Sequence, residues 1–248
     1  MKTAILLSTY HPNAVYLAEQ LASIEKQTLP CDLIRREDDE TRLGAMRSFE
    51  KLLSETDGYD YYAFADQDDV WEPEKMEVLV AEMQKAEAQY GVETPIVVHS
   101  DLTVVNANLE VLSDSFWAYS GIRADWADQS LPYLTISNTV TGCAMLLNAA
   151  TRKVSLPFGR QAFMHDQWIA QSALRCGGKV IPVHRSLVQY RQHGNNTLGA
   201  VEYHGMSLRN VAFKHKLFWR AYRSGKGICW NWLPAFVYWK IRHIVARL

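Results

Sequence analysis

Apolar and polar positions alternate between two periods along the first part of the chain. Apolar runs of strand length recur at residues 4–10, 31–38, 60–66 and 94–105. Between them, apolar side chains recur every three or four residues, which is typical of helices that bury one face. Unbroken apolar runs indicate strands that are buried on both faces. The alternation predicts an α/β fold with a mostly parallel central sheet flanked by helices.

Cap and turn residues set the expected ends of these elements. Asn13 is a suitable cap for the first helix, and Pro73 suits the first turn of the third. A helix is expected over residues 163–178, where two glycines end it. The pattern over residues 106–137 is less regular and predicts a hairpin and loops. Residues 179–196 fit a strand pair or one extended run.

Three polar clusters follow the first three predicted strands. They are Ser8-Thr9-Tyr10, Glu37-Asp38-Asp39 and Asp66-Gln67-Asp68-Asp69. Ligands of open α/β sheets bind outside the carboxyl ends of the strands. The three clusters are therefore expected to converge on one binding site.

The cluster Asp66–Asp69 carries the clearest chemical signal. Three carboxylates within four residues repel one another unless water or a cation neutralises them. Oxygen ligands at a strand end suit a hard divalent cation together with a diphosphate. The alternative is an exposed acidic turn in which Asp69 caps the helix that begins near Pro73.

The segment AFADQDDVWEPEKM resembles the metal-binding segment of family-2 glycosyltransferases with a GT-A fold. It is most similar to the branch that includes bacterial rhamnosyltransferases. Further blocks resemble that branch in the same order over roughly residues 3–200: LLSTYHPN, RREDDET, VVHSDLTVVN, NTVTGCAMLLN, FMHDQWIA and YRQHGNN. The resemblance implies a Rossmann-like GT-A catalytic domain over residues 1–202.

The resemblance implies a role for several residues on the donor side. Thr9 and Tyr10 would contact the base and ribose of a nucleotide-sugar, and Asp66 would approach the ribose or the metal. Asp38 would hydrogen-bond the base. This turn lacks the Gly and Ser that the family usually has after its Asp pair, so Glu37 or Asp39 could be the contact instead.

The resemblance also implies the metal, sugar and acceptor contacts. Asp68 would bind a Mg²⁺ or Mn²⁺ ion that bridges the diphosphate, and His193 would contact the metal or the diphosphate. Asp101 would face the sugar. Asp166 would be the general base that accepts a proton from the acceptor hydroxyl. The alternatives are that Asp166 only caps its helix and that His193 only bonds to backbone.

Other residues have two interpretations each. Trp117 and Trp126 could stack on a sugar or lie in the core. Asn138 and Gly142 could shape the acceptor floor or only form a turn. A structural role is expected for three histidines: His99, His165 and His184.

Taken together, the resemblance implies an inverting, metal-dependent glycosyltransferase. The expected donor is dTDP-L-rhamnose, and the expected acceptor is a hydroxyl of a growing cell-surface polysaccharide or lipid-linked glycan, such as an O-antigen. The alternatives are a UDP-hexose donor, a metal-dependent nucleotidyltransferase, and a binding module that has lost activity. A nucleotidyltransferase usually needs a Gly-rich, basic loop for a triphosphate, and none is present near residue 10.

Charge divides the chain into two parts. Of 248 residues, 48% are apolar, and the net charge is −1. Residues 203–248 contain nine Lys or Arg, no acid and four of the eight Trp. A basic, Trp-rich helical tail that contacts an anionic membrane is expected, with a helical pair packed on the body as the alternative.

Location is inferred from cysteines and hydropathy. The four cysteines are far apart and form no CxxC pair, which favours a reducing cytosol. No uncharged apolar stretch reaches 18 residues, which disfavours a spanning helix. The apolar run near the N-terminus is short and fits a buried strand better than a signal peptide. A peripheral position at the inner face of the cell membrane is therefore expected, with no nucleic-acid partner.

Overall fold

The computed structural model describes residues 1–38, 40, 42–127, 130–194, 200 and 211–245. Only the backbone is described at residues 126–127 and 211–217. The strands are β1 (Thr3–Thr9), β2 (Asp32–Glu37), β3 (Tyr61–Ala65), β4 (Val70–Trp71), β5 (Ile96–Val105), β6 (Val111–Ser113), β7 (Met145–Asn148) and β8 (Lys179–Arg191). The helices are α1 (Ala14–Glu25), α2 (Ala45–Glu55), α3 (Lys75–Tyr90), α4 (Phe116–Tyr119), α5 (Ala124–Ala127), α6 (Leu131–Ile136), α7 (Ala149–Ser155), α8 (His165–Arg175), α9 (Val211–Gly225) and α10 (Leu233–Val245).

The strands form one sheet in the order β2-β1-β3-β7-β5-β8-β4, with β6 paired to β5. β1 is parallel to β2 and β3, and β5 is parallel to β8. β7 lies between β3 and β5 and is antiparallel to both. Strands β2, β1, β3, β5 and β8 therefore run in one direction and end at one edge. The predicted α/β class with a mostly parallel sheet is confirmed.

Side chains of alternate residues fill the two faces of this sheet. Ile5 and Leu7 of β1 belong to a buried cluster with α1 and α3. Ala4 and Leu6 belong to a second buried cluster with α2 and α8. Both faces are covered by helices, which explains the unbroken apolar runs in the sequence.

Several element ends follow the sequence signals and others do not. The Asn13 side chain caps α1, accepting from the backbone N–H of Val15 at 2.9 Å. Gly178 follows α8 and packs against the backbone before β5. A Cβ there would lie 2.1 Å from the Pro95 carbonyl oxygen, so only glycine fits. The region 106–137 contains β6 as expected, but also three short helices. The run after residue 178 is one 13-residue strand, β8, rather than a strand pair.

The C-terminal end is helical, as expected, and it packs on the rest of the chain. Trp230 is 3% exposed and lies in a buried cluster with Ala221 and Phe236. The ring of Trp239 contacts that of Tyr133 in α6, with the centroids 5.5 Å apart. Trp230 is therefore enclosed by protein, as the alternative of a packed helical pair expects for this residue. The expected boundary at residues 202–203 falls outside the described residues.

Within the described part of the chain, we find no helix with the length and apolar character needed to cross a bilayer.

Candidate active site

A cleft of about 870 Å³ opens at the carboxyl edge of the parallel strands. Six residues singled out from the sequence line it: Tyr10, Asp38, Asp66, Asp68, Asp166 and His193. They come from the ends of β1, β2, β3 and β8 and from the first turn of α8. The topology thus brings together residues that are up to 183 positions apart in the sequence. Two other expected site residues, Thr9 and Asp101, do not line the cleft.

Tyr10 forms an open aromatic wall of the cleft. Its backbone is held by Gln67, whose side chain accepts from the Tyr10 N–H at 2.7 Å and donates to its carbonyl at 3.2 Å. Tyr10 is 47% exposed, and its ring lies beside that of His11 with the centroids 4.3 Å apart, so its exposed side can contact a planar ligand. Thr9 is only 2% exposed, since its side chain points away from the cleft edge. The cleft is lined instead by Ser8, whose hydroxyl donates to Ser48 at 2.7 Å.

Asp38 lies in the cleft but is tied to the loop before α2. Its two carboxylate oxygens accept from the backbone N–H groups of Leu43 at 3.0 Å and Gly44 at 2.9 Å. Gly44 has a φ of +78°, a conformation that favours glycine. Of the two alternatives to Asp38, Glu37 is exposed and does not line the cleft. Asp39 lies outside the described residues.

Asp68 and His193 lie next to each other in the cleft lining. The Nε2 atom of His193 lies 2.7 Å from Oδ2 of Asp68, and both side chains are less than one-fifth exposed. Arg191 holds the Asp68 backbone from behind. Its Nε donates to the Asp68 carbonyl at 2.7 Å, and its guanidinium also pairs with Glu19. The sequence analysis did not identify Arg191, because no motif marks it. Arg191 is 1% exposed.

Negative charge concentrates around this pair. Burial, followed by the nearby charges of Asp68 and Asp166, raises the pKa of Asp66 to about 7. A carboxylate and an imidazole are both common ligands of divalent transition metals, and carboxylates bind Mg²⁺. A cation here would also offset the repulsion among the carboxylates of Asp66, Asp68 and Asp166. Asp68 and His193 therefore fit the expected Mg²⁺ or Mn²⁺ ion.

A second group of metal-ligating atoms lies deeper. Oxygens of Asp66 and Asp69 and the sulfur of Cys143 all lie within 4.8 Å of one another. The fully buried Lys75 lies beside this group and donates from Nζ to the Cys143 carbonyl at 2.6 Å. Burial lowers the pKa of Lys75 well below its usual value, and the nearby Cys143, Asp69 and Asp66 oppose that change. The Lys75 ammonium also lies 2.9 Å from the centroid of the Trp71 ring. Of this deeper group only Asp66 lines the open cleft, whereas Asp68 and His193 both do.

Asp69 does not cap a helix, so that interpretation is wrong. It is fully buried and accepts from the backbone N–H of Arg191 at 3.1 Å. Helix α3 begins only at Lys75, and the residue before it makes no side-chain cap bond. The acidic turn is thus folded inward against β8 rather than exposed.

Asp166 is the carboxylate on the other side of the cleft. It is 7% exposed and accepts hydrogen bonds from the backbone N–H groups of Gln167 and Gly142 and from the Asn138 side chain. Burial raises its pKa to about 6, and these hydrogen bonds oppose the rise. Asp166 is the second residue of α8 and Met164 is at the N-cap, so it is not the helix cap. It can accept a proton near neutral pH.

His165 packs beside Asp166 in an apolar setting. Its ring lies between Phe49 and Phe64, with centroid distances of 4.3 and 4.9 Å. Burial lowers its pKa to about 3, so the imidazole is neutral. A Cβ at Gly142 would lie 2.3 Å from Nε2 of His165, so this position has no room for a side chain.

Asp101, which was expected to face the sugar, is buried and does not line the cleft. Its carboxylate accepts from the backbone N–H groups of Leu102 at 2.8 Å and Trp117 at 3.1 Å and from the Ser115 hydroxyl. It therefore holds α4 against β5, away from the cleft. Trp117 is 6% exposed and belongs to the core, while the side chain of Trp126 lies outside the described part.

Comparisons with known proteins give structural matches only. No protein-family model matches the chain, and no curated protein is significantly similar to it in sequence. Solved structures of TarS from S. aureus share the fold. TarS 1-349 in complex with UDP-GlcNAc has a TM-score of 0.62 at 13% identity, over 100% of this chain and 72% of that one. TarS 1-349 in complex with UDP has a TM-score of 0.55 at 12% identity, over 92% and 66%.

A longer TarS structure has a TM-score of 0.55 at 16% identity. The match covers 77% of this chain but only 37% of that one, so this chain spans well under half of that TarS molecule. These likenesses confirm the GT-A-type fold with a curled sheet flanked by helices. At these identities the likenesses do not support the resemblance to the rhamnosyltransferase branch.

Proposed function

We propose that the protein is an inverting, metal-dependent glycosyltransferase that uses a nucleotide-sugar donor. The observation that carries the proposal is the placement of Asp68 and His193 opposite Asp166 around one cleft, at the carboxyl ends of parallel strands. The fold of TarS, a family-2 glycosyltransferase, supports it. Structures of TarS hold UDP-GlcNAc and UDP.

The donor would bind on the Tyr10 side of the cleft. The exposed ring of Tyr10 would stack on the base, and Asp38 would lie at the edge of the base. Asp68 and His193 would hold the Mg²⁺ or Mn²⁺ ion, and Asp66 would lie beside it or the ribose. Such an ion offsets the charge that develops on a departing nucleoside diphosphate. Thr9 and Asp101 have no direct role in this arrangement.

Asp166 would act on the acceptor. Its raised pKa keeps it ionised above about pH 6 and basic enough to take the proton of an attacking hydroxyl. The hydroxyl oxygen forms the new bond to the anomeric carbon while the bond to the diphosphate breaks. One base and no covalent nucleophile give a single displacement, so the anomeric configuration inverts.

Donor identity is the finer part of the proposal. The sequence resemblance supports dTDP-L-rhamnose, with a growing surface polysaccharide or lipid-linked glycan as acceptor. The fold shared with TarS bound to UDP-GlcNAc supports a UDP-sugar as the second candidate. A panel of nucleotide-sugars, with and without Mn²⁺, distinguishes them by thermal shift and by released nucleoside diphosphate. The proposal fails if no nucleotide-sugar stabilises the protein or is turned over.

The tail would add a peripheral membrane contact on the inner face of the cell membrane. Trp232 is 65% exposed, and Tyr238, Ile241 and Val245 form an exposed apolar stripe on α10. The segment 203–248 holds nine bases and no acid, which favours an anionic leaflet. Apolar side chains among bases are typical of interfacial helices.

A further inference from the structure

Arg220 of α9 packs on the segment that leads into the proposed base. Its guanidinium carbon lies 3.0 Å from the centroid of the Phe163 ring. Phe163 lies three residues before Asp166 and is 36% exposed. The positive charge of Arg220 also lowers the pKa of Asp166, against the larger effect of burial.

The packing of the tail fixes this position. Helix α9 packs on α6, and Thr135 of α6 is bonded to α8 twice. The Gln167 side chain donates to the Thr135 carbonyl at 3.1 Å, and that of Gln171 donates to its hydroxyl at 2.9 Å. The helix that carries Asp166 and the helix that carries Arg220 are therefore joined through α6.

The donors of Arg220 are not used within the described part of the chain. Its guanidinium contacts an aromatic face, but it makes no hydrogen bond and no salt bridge to any described residue. A guanidinium has five N–H donors in a planar fork that suits phosphate and carboxylate groups. A partly buried arginine on a ring three residues before Asp166 thus has the chemistry of an anion contact at the margin of the cleft, whose lining begins with Met164 in this segment.

We propose that Arg220 and Phe163 form a subsite for an anionic group, a phosphate or a carboxylate, carried by the acceptor. The proposal rests on the proposed function, since it places the subsite on the acceptor side of Asp166. The fork binds the anion, the ring orients the planar guanidinium, and the positive charge offsets the repulsion between the anion and Asp166. The tail thereby contributes to acceptor recognition.

A direct test reads Arg220 itself. The full chain is labelled with ¹⁵N, and the Arg220 Nε–H signal is assigned by its loss in Arg220→Lys. With UDP present to fill a donor site, inorganic phosphate and acetate are titrated separately against sodium chloride of equal ionic strength. A saturable shift beyond that of chloride, absent from the signal of exposed Arg223 on the same helix, supports the subsite. A shift by phosphate alone indicates a phosphate-bearing acceptor, and one by acetate alone a carboxylate-bearing acceptor. No anion-specific shift overturns the proposal.

A kinetic test compares substitutions at Arg220 and at Arg223. With a donor and an acceptor that the wild type accepts, Arg220→Gln should raise the acceptor KM about tenfold or more, the scale of a lost charged hydrogen bond. Donor hydrolysis without acceptor should persist. Arg223→Gln removes the same charge one turn on and should leave KM unchanged. An equal rise in KM for both variants would overturn the proposal. If the wild type transfers no sugar at all, the proposed function fails, while the anion titration still decides the subsite.

Discussion

Replacing Asp166 by Asn should remove a loss of stability that grows with pH, and should stop catalysis. Raising the pKa of this carboxyl from 3.8 to about 6 costs about 3 kcal/mol of stability at a pH above both values. The folded protein holds the proton more tightly than the unfolded chain does. Stability from this group is therefore lost as pH rises from about 4 to above 6. Asn has no charge, so it avoids that loss.

The magnitude is best read as a difference between two pH values. Linkage with the two pKa values gives a change of about 2 kcal/mol between pH 4.5 and pH 7.5 in favour of the Asp166→Asn variant. Asn has one acceptor oxygen where the carboxylate has two, so one of its donors loses its partner at a cost of about 1–3 kcal/mol. That cost is the same at both pH values and drops out of the difference.

Urea unfolding of wild type and Asp166→Asn at pH 4.5 and 7.5 measures this change, and sugar transfer is assayed on the same samples. Transfer should fall by about 10²- to 10⁴-fold. Asp101→Asn is the matched control, since Asp101 is an equally buried carboxylate with three donors outside the cleft. It should lower stability and leave transfer per folded molecule unchanged. A stability difference that does not grow with pH, or full activity of Asp166→Asn, would refute the reasoning.

The other predictions concern the metal, the packing and the tail. Asp68→Asn should cut turnover about 100-fold or more and weaken Mn²⁺ binding in a calorimetric titration; full activity in EDTA would exclude the metal. Gly142→Ala should lose about 1–3 kcal/mol in urea unfolding, because its Cβ meets the His165 ring; unchanged stability would show that the ring moves aside. Trp232→Ser should reduce flotation with anionic liposomes, whereas Val92→Ser, equally exposed on the body, should not; equal binding by both would place the contact elsewhere.

The sequence predicted the frame of the fold because its signals are local. Apolar runs and cap residues such as Asn13 report the strands and helices directly. The sequence did not decide between a strand pair and one extended run for β8, because this strand pairs with β5 along its whole length and with β4 only near its end. Pairing partners so far apart in the chain leave no local pattern.

The candidate site was predicted where function shows in residue type, and missed where support comes from packing. Asp68, Asp166 and His193 do line one cleft. Asp101 was expected to face the sugar, but it accepts from backbone N–H groups instead. The residue type alone does not distinguish these two roles. Arg220 could not have been linked to Asp166, since only the packing of α9 brings the two near.

The central claim is that this cleft transfers a sugar from a nucleotide with inversion. The most direct measurement follows a turned-over nucleotide-sugar by ¹H NMR and observes the first anomer released to water or to acceptor. The account predicts the anomer opposite to that of the donor, formed only with Mg²⁺ or Mn²⁺ and lost in Asp166→Asn. Release of the donor's own anomer, or release that persists in Asp166→Asn, would contradict it.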